Sequence, residues 1–263
     1  IIAVVFVISE LVCVACVPER PVDCNEKPGK ISDMFKALFK NDQAMTVVVS
    51  IILVYTSLNI CGNLVLYFFR FDVGNEGAYS IFAAVAFAAQ VLVMMVIPLL
   101  RKRFSKSQLF ISGFIIQIAG FAVILIMAFA KLYTPQSWYI LCLPGILIYL
   151  GYGMLNVIMT IFLSDSVDYG EVMNGTREES VIFSMQTFTV KLASGVAVFL
   201  AGLVVDWIHL DTAAAVQTQD TLDALRMWMT IPSVILLIVG IFVFKRFYKL
   251  DDTRMEEIKS KLN

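Results

Sequence analysis

Apolar residues along this chain fall in long blocks that are separated by short polar stretches. We place these blocks at residues 1–17, 43–69, 78–100, 108–130, 138–164, 181–206 and 228–244. A helix that rises about 1.5 Å per residue needs about 20 apolar residues to cross the hydrocarbon layer of a membrane. The pattern therefore predicts an all-α, polytopic membrane protein with about seven transmembrane helices.

Composition agrees with this prediction, because 59% of the 263 residues are hydrophobic and only 16% are charged. Soluble domains average about 45–50% apolar and about 25% charged residues.

Cys13 and Cys16 form a CxxC pair, but no second pair and no nearby histidine completes a metal site. No phosphate loop or nucleophilic triad is present either. We expect no enzymatic activity, no metal, no cofactor and no nucleic-acid partner.

The basic residues alternate from link to link. Sixteen of the 20 lysines and arginines lie in residues 18–42, in residues 101–107, at Arg177 and from Lys245 onwards. The intervening links carry one each, namely Arg70, Lys131 and Arg226. Lysine and arginine mark the cytoplasmic side of a membrane protein. We therefore predict a multi-pass protein of the inner (plasma) membrane, with the N-terminus outside and the C-terminus in the cytoplasm.

One cytoplasmic link, residues 18–42, is longer than the others. Its first part is rich in proline, and residues 31–41 have the pattern of a short amphipathic helix at the membrane surface. A link of this kind suggests a boundary between two helix bundles. We divide the chain into a truncated last helix of one bundle (1–17), a central cytoplasmic loop (18–42), a six-helix bundle (43–248) and a cytoplasmic tail (249–263). Because the chain starts inside an apolar run without Met, we expect it to begin partway into a helix.

Lys191 lies near the middle of the sixth predicted span, where a lysine costs about 2.5–3.5 kcal/mol on insertion scales. Ser184, Thr187 and Ser194 share its helical face, and Gln186 lies at the flank of that face. We predict that this face lines a polar substrate cavity. The alternative is an ion pair or hydrogen-bond cluster between helices that binds no ligand.

Polar residues also recur every fourth position in the second span, at Tyr55, Asn59 and Asn63. Amide side chains inside a span can join two helices. They also offer the paired donors and acceptors that sugar hydroxyls require. The pattern does not choose between these two interpretations.

The link after the fifth span is acidic. Asp165, Asp168 and Glu171 recur at a spacing of three, so they extend one face of the preceding helix, and Arg177 is the one basic residue near them. Negative charge at a helix C-terminus opposes the helix dipole, so a cationic partner is expected. We predict a charge network that pairs with another bundle and opens as the protein changes state. A solvated acidic loop and a hydrolytic carboxylate pair are the alternatives.

The segments DSVDYGE (residues 165–171) and QTFTVK (residues 186–191), with Arg177 between them, resemble a motif of the glycoside–pentoside–hexuronide:cation symporter family. The resemblance extends from Phe39 to the tail. This family belongs to the major facilitator superfamily, whose members have twelve helices in two six-helix bundles. The resemblance implies that the chain supplies helices six to twelve, so that residues 43–248 form the C-terminal bundle. It also implies secondary active symport of a sugar by alternating access.

The same resemblance implies roles for individual residues. Lys191 matches a lysine of helix eleven in the sugar-binding region, and Gln186 and Thr187 match its neighbours. Asn156 stands where the best-known member of the family has a tryptophan beside the sugar, which leaves the identity of the sugar open. The candidate substrate-binding residues are Lys191, Gln186, Thr187, Asn59, Asn63 and Asn156.

The candidate gating network follows from the same comparison, because Asp165, Asp168 and Arg177 match a cytoplasmic charge network that closes the inward side. We add Glu171 to it from the residue spacing. The coupling cation, Na⁺, Li⁺ or H⁺, is expected to bind carboxylates of the N-terminal half. A sugar or glycoside, that cation and the lipid bilayer are the expected partners. A seven-helix membrane receptor is the alternative function.

Overall fold

The computed structural model describes residues 2–16, 39–175, 179–214 and 216–262, and the chain divides into two units, residues 1–34 and 35–263. The first unit contains helix α1, Ile2–Cys16, which has 15 residues. Most of the predicted cytoplasmic loop, including nearly all of its amphipathic helix, lies outside the described residues, as does Arg177.

The second unit is a bundle of long helices. The helices are α2 (Asp42–Tyr67, continued by a π-helical turn, Phe68–Val73), α3 (Ala78–Leu100), α4 (Lys106–Phe129), α5 (Cys142–Asn174, preceded by a 3-10 turn, Trp138–Leu141), α6 (Glu179–Trp207), α7 (Gln219–Phe247) and α8 (Asp252–Leu262). Within the described ranges, six helices, α2 to α7, are long and apolar enough to cross a membrane. The prediction of an all-α polytopic protein is thus confirmed. That residues 1–17 also cross the membrane stays a prediction.

Local sequence signals determine where several helices begin and end. Asn41 caps α2 by accepting a hydrogen bond from the Ala44 amide at 2.9 Å. Ser105 and Gln108 form a reciprocal capping box at the start of α4. Helix α5 ends at Gly175, whose φ of +72° is a left-handed conformation that favours glycine. It continues well past residue 164, where the predicted span ended.

The start of α7 differs from the sequence prediction. Thr218 caps this helix, which begins at Gln219, nine residues before the predicted span at residue 228. Arg226, which the sequence analysis placed in an outer link, lies inside the helix and is only 3% exposed. The apolar pattern does not reveal this helix start. A buried arginine is tolerated only where a carboxylate neutralises it, and Asp72, the buried partner of Arg226, is distant in sequence.

Helices α2 and α5 are central to the bundle. Helix α2 packs against α5, α6 and α7, and α5 also packs against α3 and α4. The backbones of α4 and α5 approach closely at small residues: a Cβ on Gly151 would lie 2.6 Å from the Gln117 amide nitrogen, and one on Gly120 would lie 2.7 Å from the Ile148 amide nitrogen. Glycine allows this approach, as is common between membrane helices.

The π-helical turn at the end of α2 lies in the core of the bundle. Its residues Phe68 and Phe69 are completely buried. The turn ends at Gly74, with φ of +74°. It also carries Asp72 into the protein interior, where the carboxylate side chain is 4% exposed.

Candidate functional site

The exposed surface of α6 divides into two stripes along the helix. One stripe is apolar and well exposed, and consists of Phe188, Leu192, Phe199, Leu203 and Trp207. The other carries Ser184, Thr187 and Lys191 in its first half, and continues along the helix through Val198, which is 54% exposed, to Gly202. The apolar stripe suits contact with lipid, whereas the part of the other stripe around Lys191 requires protein or water beside it.

Lys191 is exposed on this polar stripe. In the described part of the chain, its ammonium group has no carboxylate within ion-pair distance and no hydrogen-bond acceptor. A charge at this depth needs stabilisation by a carboxylate, by dipoles or by water. The structure therefore leaves Lys191 available to a group outside the described residues or to a ligand.

The two asparagines of α2 bind their own helix. The Asn59 Nδ2 atom donates to the Tyr55 carbonyl oxygen, and the Asn63 Nδ2 atom donates to the Asn59 carbonyl oxygen, both at 2.7 Å. Neither amide joins two helices in the described structure, and neither side-chain carbonyl oxygen accepts a hydrogen bond there. The side-chain carbonyl oxygen of each asparagine thus remains available to accept a hydrogen bond.

A chain of hydrogen bonds runs from α2 through α5 to α6. Asn156 Nδ2 donates to the Tyr55 hydroxyl at 2.5 Å, and Thr160 Oγ1 donates to the Asn156 carbonyl oxygen at 3.1 Å. Gln186 Nε2 donates to Thr160 Oγ1 at 3.4 Å. The ring of Tyr152 packs edge-on against that of Tyr55, with centroids 5.4 Å apart.

Two of the predicted substrate residues, Asn156 and Gln186, are therefore brought together through Thr160. Lys191 and Thr187 do not join this chain, because the Thr187 hydroxyl donates to its own helix at the Phe183 carbonyl oxygen. Sequence reasoning missed Tyr152 and Thr160. Their spacing of four residues on either side of Asn156 is a signal that could have found them.

At the end of the bundle that carries the basic link, a partly buried cluster joins four charged residues. Lys106, which the sequence analysis counted among link residues, is 5% exposed and forms an ion pair with the equally buried Asp165. The same ammonium group lies 3.4 Å from Asp252 of α8, and Arg101 lies 3.4 Å from that carboxylate as well. Asp165 thus has a basic partner within its own bundle.

Two other members of the predicted gating network lie on the same helix as Asp165. Asp168 and Glu171 are partly buried, and each interacts with at least one other group. Arg177 lies outside the described residues. Asp165 is the one member whose partner is known.

Helix α8 is held against this end of the bundle. Leu250, Met255 and Ile258 form a small apolar cluster with Tyr169 of α5 and with Tyr248. Partial burial raises the pKa of Asp252, but the charges of Lys106 and Arg101 outweigh it and hold the pKa below its ordinary value. The tail is therefore fixed by apolar packing and by ion pairs together.

The opposite end of the bundle contains a second buried charge cluster, which the sequence analysis did not predict. Arg226 donates from Nε and Nη2 to the two oxygens of Asp72 at 2.8 and 2.6 Å, and from Nη1 to Asp223 at 2.7 Å. The Tyr133 hydroxyl donates to Asp72 at 2.7 Å. Burial and the Asp72 carboxylate raise the pKa of Tyr133, although Arg226 opposes this. The cluster joins α2, α7 and the link after α4.

Six helices of the described residues are long and apolar enough to cross a membrane, which defines the class as a multi-pass membrane protein. Comparison with known families agrees, because the family described as MFS/sugar transport protein matches residues 1–252. The match includes most of the chain, and the chain belongs to this family.

The individual relatives are distant in sequence, but each match extends over most of this chain. An uncharacterized symporter of Bacillus subtilis, YjmB, is 25% identical over 233 residues, which are 89% of this chain and 49% of that protein. The raffinose carrier protein of Pediococcus pentosaceus is 23% identical over 250 residues, 92% of this chain and 38% of the carrier. The isoprimeverose transporter of Lactiplantibacillus pentosus is 24% identical over 254 residues, 95% of this chain and 51% of the transporter. The chain thus spans about half the length of these relatives or less.

Proposed function

We propose that this chain acts as the C-terminal half of a sugar:cation symporter that works by alternating access. The family and the named relatives support transport of a sugar, since two of the relatives carry raffinose and isoprimeverose. A seven-helix receptor is not favoured, because a lactose permease is among the relatives too. As a carrier, the protein is expected to have no enzymatic activity.

The observation that carries this proposal is the division of α6 into a polar and an apolar stripe. Lys191 on the polar stripe can donate up to three hydrogen bonds to sugar hydroxyls. Asn59 and Asn63 add free carbonyl acceptors from α2. In this proposal the polar stripe faces a wet central cavity, and the carboxylate partner of Lys191 comes from a second six-helix bundle across that cavity.

Around Lys191, the remaining substrate candidates supply amide and hydroxyl groups. Gln186 and Asn156 would orient the sugar through the hydrogen-bonded chain that Thr160 links. Thr187 lies one turn from Lys191 on the same stripe. These groups are neutral donors and acceptors, which suit the hydroxyl groups of a sugar.

We further propose that Asp165, Asp168, Glu171 and Arg177 close the cytoplasmic side in one state of the transport cycle. The alternation of Lys and Arg along the links supports a cytoplasmic C-terminus in the cell membrane. The coupling ion, Na⁺, Li⁺ or H⁺, would bind in the other bundle.

The proposal is tested by sugar uptake into vesicles that contain the full-length transporter. Uptake of labelled raffinose, lactose and isoprimeverose is measured under an imposed Na⁺, Li⁺ or H⁺ gradient. Lys191→Gln should be produced normally but should raise the KM about ten- to hundredfold, since a hydrogen bond from a charged group contributes about 1.5–3 kcal/mol.

Lys245→Gln, an equal charge change at an exposed position near the end of α7, is the matched control and should transport normally. If no gradient drives uptake of any of these sugars, the proposed function is wrong for them. Normal transport by Lys191→Leu would show that the lysine is a packing detail rather than a cavity residue.

A further inference from the structure

A notch of about 340 Å³ lies between α2 and α6, well away from Lys191 along the helix. Its polar lining consists of Asn63 and Tyr67 from α2 and Asp206 from α6, and the small or apolar residues Val198, Ala201, Gly202 and Val205 of α6 complete it. The volume falls within the range of about 300–1,000 Å³ that is usual for small-molecule sites. None of the residues assigned to the substrate site except Asn63 touches it.

The notch opens on the same face of α6 as Lys191. Gly202 follows Lys191 by eleven residues, which is close to three helical turns, or about 16 Å along the axis. On α2, Tyr67 continues the line of Asn59 and Asn63 at the same four-residue spacing. The notch therefore lies about 16 Å along α6 from Lys191, on the face that carries the proposed sugar site.

The notch lies at the end of α6 that is opposite the basic link. Asp206 is the penultimate residue of α6, next to Trp207. The start of α6, at the other end, follows the acidic link after α5. The distribution of Lys and Arg assigns the Asp206 end to the outer side. A sugar that enters from outside would meet the notch before it reaches Lys191.

The chemistry of the lining suits a polyhydroxylated ligand. The Asn63 side-chain oxygen and the Asp206 carboxylate have no donor or cation among the described residues, so both can accept hydrogen bonds from hydroxyl groups. A carboxylate acceptor forms stronger hydrogen bonds than a neutral one. The Tyr67 ring, which stacks on Phe71 with 6.5 Å between centroids, adds an ordered aromatic surface with a hydroxyl group.

A metal ion is a poorer fit. Among the described residues, no group of three or more His, Cys, Asp or Glu side chains is placed to hold one, and a hard cation prefers about six or more oxygen ligands. One carboxylate and one amide do not approach that number.

We propose that the notch lined by Asn63, Tyr67, Gly202 and Asp206 is a second sugar subsite, which loads the substrate from the outer side before it moves to Lys191. This inference rests on the proposed function for its substrate class and adds a site to it. In its simplest form it requires that the notch is wet, that it is reached from outside and that a sugar occupies it.

The test is thiol labelling of Gly202→Cys in the full-length transporter with all native cysteines replaced. A Cβ on Gly202 would meet no atom within 4 Å, so the cysteine fits without displacing a neighbour. Leu203→Cys, one residue further on the apolar stripe and 48% exposed, is the matched control. A membrane-impermeant thiol reagent added outside should label Gly202→Cys and not Leu203→Cys.

Millimolar raffinose, lactose or isoprimeverose should slow this labelling several-fold. In Gly202→Cys, adding Asp206→Asn should raise the sugar concentration for half-protection about tenfold, because a charged acceptor is lost. Asp220→Asn, an equal charge change at an exposed position in the first turn of α7, should leave it unchanged. Absence of labelling, or labelling that none of the three sugars slows, overturns the subsite.

The outcome is separable from that of the proposed function. If Lys191→Gln lowers sugar affinity while no sugar protects Gly202→Cys, the central site stands and the outer subsite is wrong. Protection of Gly202→Cys together with normal transport by Lys191→Leu would support the subsite and remove Lys191 from the substrate site.

Discussion

Replacement of Asp72 by asparagine should strongly destabilise the bundle. The side chains of Asp72 and Arg226 are 4% and 3% exposed, and two hydrogen bonds of 2.6 and 2.8 Å join them. An asparagine side chain would keep the shape of the aspartate but would leave the guanidinium with a single, partly exposed carboxylate, Asp223. Removing one partner from a buried ion pair costs about 3–5 kcal/mol.

The structure supplies a control of the same chemistry. Asp223 also contacts Arg226, at 2.7 Å, but its side chain is 36% exposed. Because solvent screens an ion pair of this kind, Asp223→Asn should cost about 0–1 kcal/mol. A double variant, Asp72→Asn with Arg226→Met, should be less destabilised than Asp72→Asn alone, since it removes the uncompensated charge.

Thermal unfolding of the purified full-length transporter in detergent measures these differences. At about 2–4 °C per kcal/mol for a domain of this size, Asp72→Asn should lower the Tm by about 6–20 °C and Asp223→Asn by at most about 4 °C. Equal shifts in Tm for the two single variants would refute the reasoning, because the Asp72–Arg226 pair would then behave as a solvated surface ion pair rather than a buried one.

Three further predictions concern the two ends of the bundle. Phe104→Cys should react with an impermeant thiol reagent only from the cytoplasmic side and Thr212→Cys only from outside; the reverse would overturn the orientation. Asp165→Asn should cost about 3–5 kcal/mol of stability because it breaks a buried pair. Asp168→Asn should slow transport more than it weakens sugar binding. Equal loss of transport rate and sugar affinity in Asp168→Asn would remove Asp168 from the gating network. Because the pKa of Asp252 is lowered, its contribution to the docking of α8 should be full above the ordinary value of about 3.9 and be lost as the pH falls below it; hydrogen exchange in α8 that rises already between pH 7 and pH 5 would contradict this.

Much of the fold can be read from the apolar blocks. The predicted span at 78–100 coincides with α3, Ala78–Leu100, because its whole length is apolar and the basic link follows directly. Helix α6, Glu179–Trp207, extends only slightly beyond the predicted 181–206. Bounds of this kind depend on local hydrophobicity and capping, which the sequence states directly.

The charge clusters could not be read in the same way. Asp72 and Arg226 are 154 residues apart, and each looks like a residue of a solvated link until the fold joins them. Lys106 likewise belongs to a basic run in sequence, yet it is buried with Asp165, which is 59 residues away. Such pairs depend on how the helices pack, which the local pattern of apolar and polar residues does not predict.

The candidate site falls between these cases. The spacing of Ser184, Thr187 and Lys191 places them on one face of α6, where all three are exposed, since helical periodicity alone determines which residues share a face. It gave no sign that Asn156 and Gln186 would meet through Thr160, because that contact depends on how α5 and α6 approach one another.

The central claim is that the face of α6 which carries Lys191 lines a wet sugar cavity, while the adjacent face contacts lipid. The most direct measurement compares Lys191→Cys with Leu192→Cys, its neighbour on the apolar stripe, which is 47% exposed. In a cysteine-free full-length transporter, a hydrophilic thiol reagent should label Lys191→Cys, and a transported sugar should slow that labelling, while Leu192→Cys stays unreactive. Equal reactivity of the two cysteines, or no reaction at Lys191→Cys from either side of the membrane, would contradict the account.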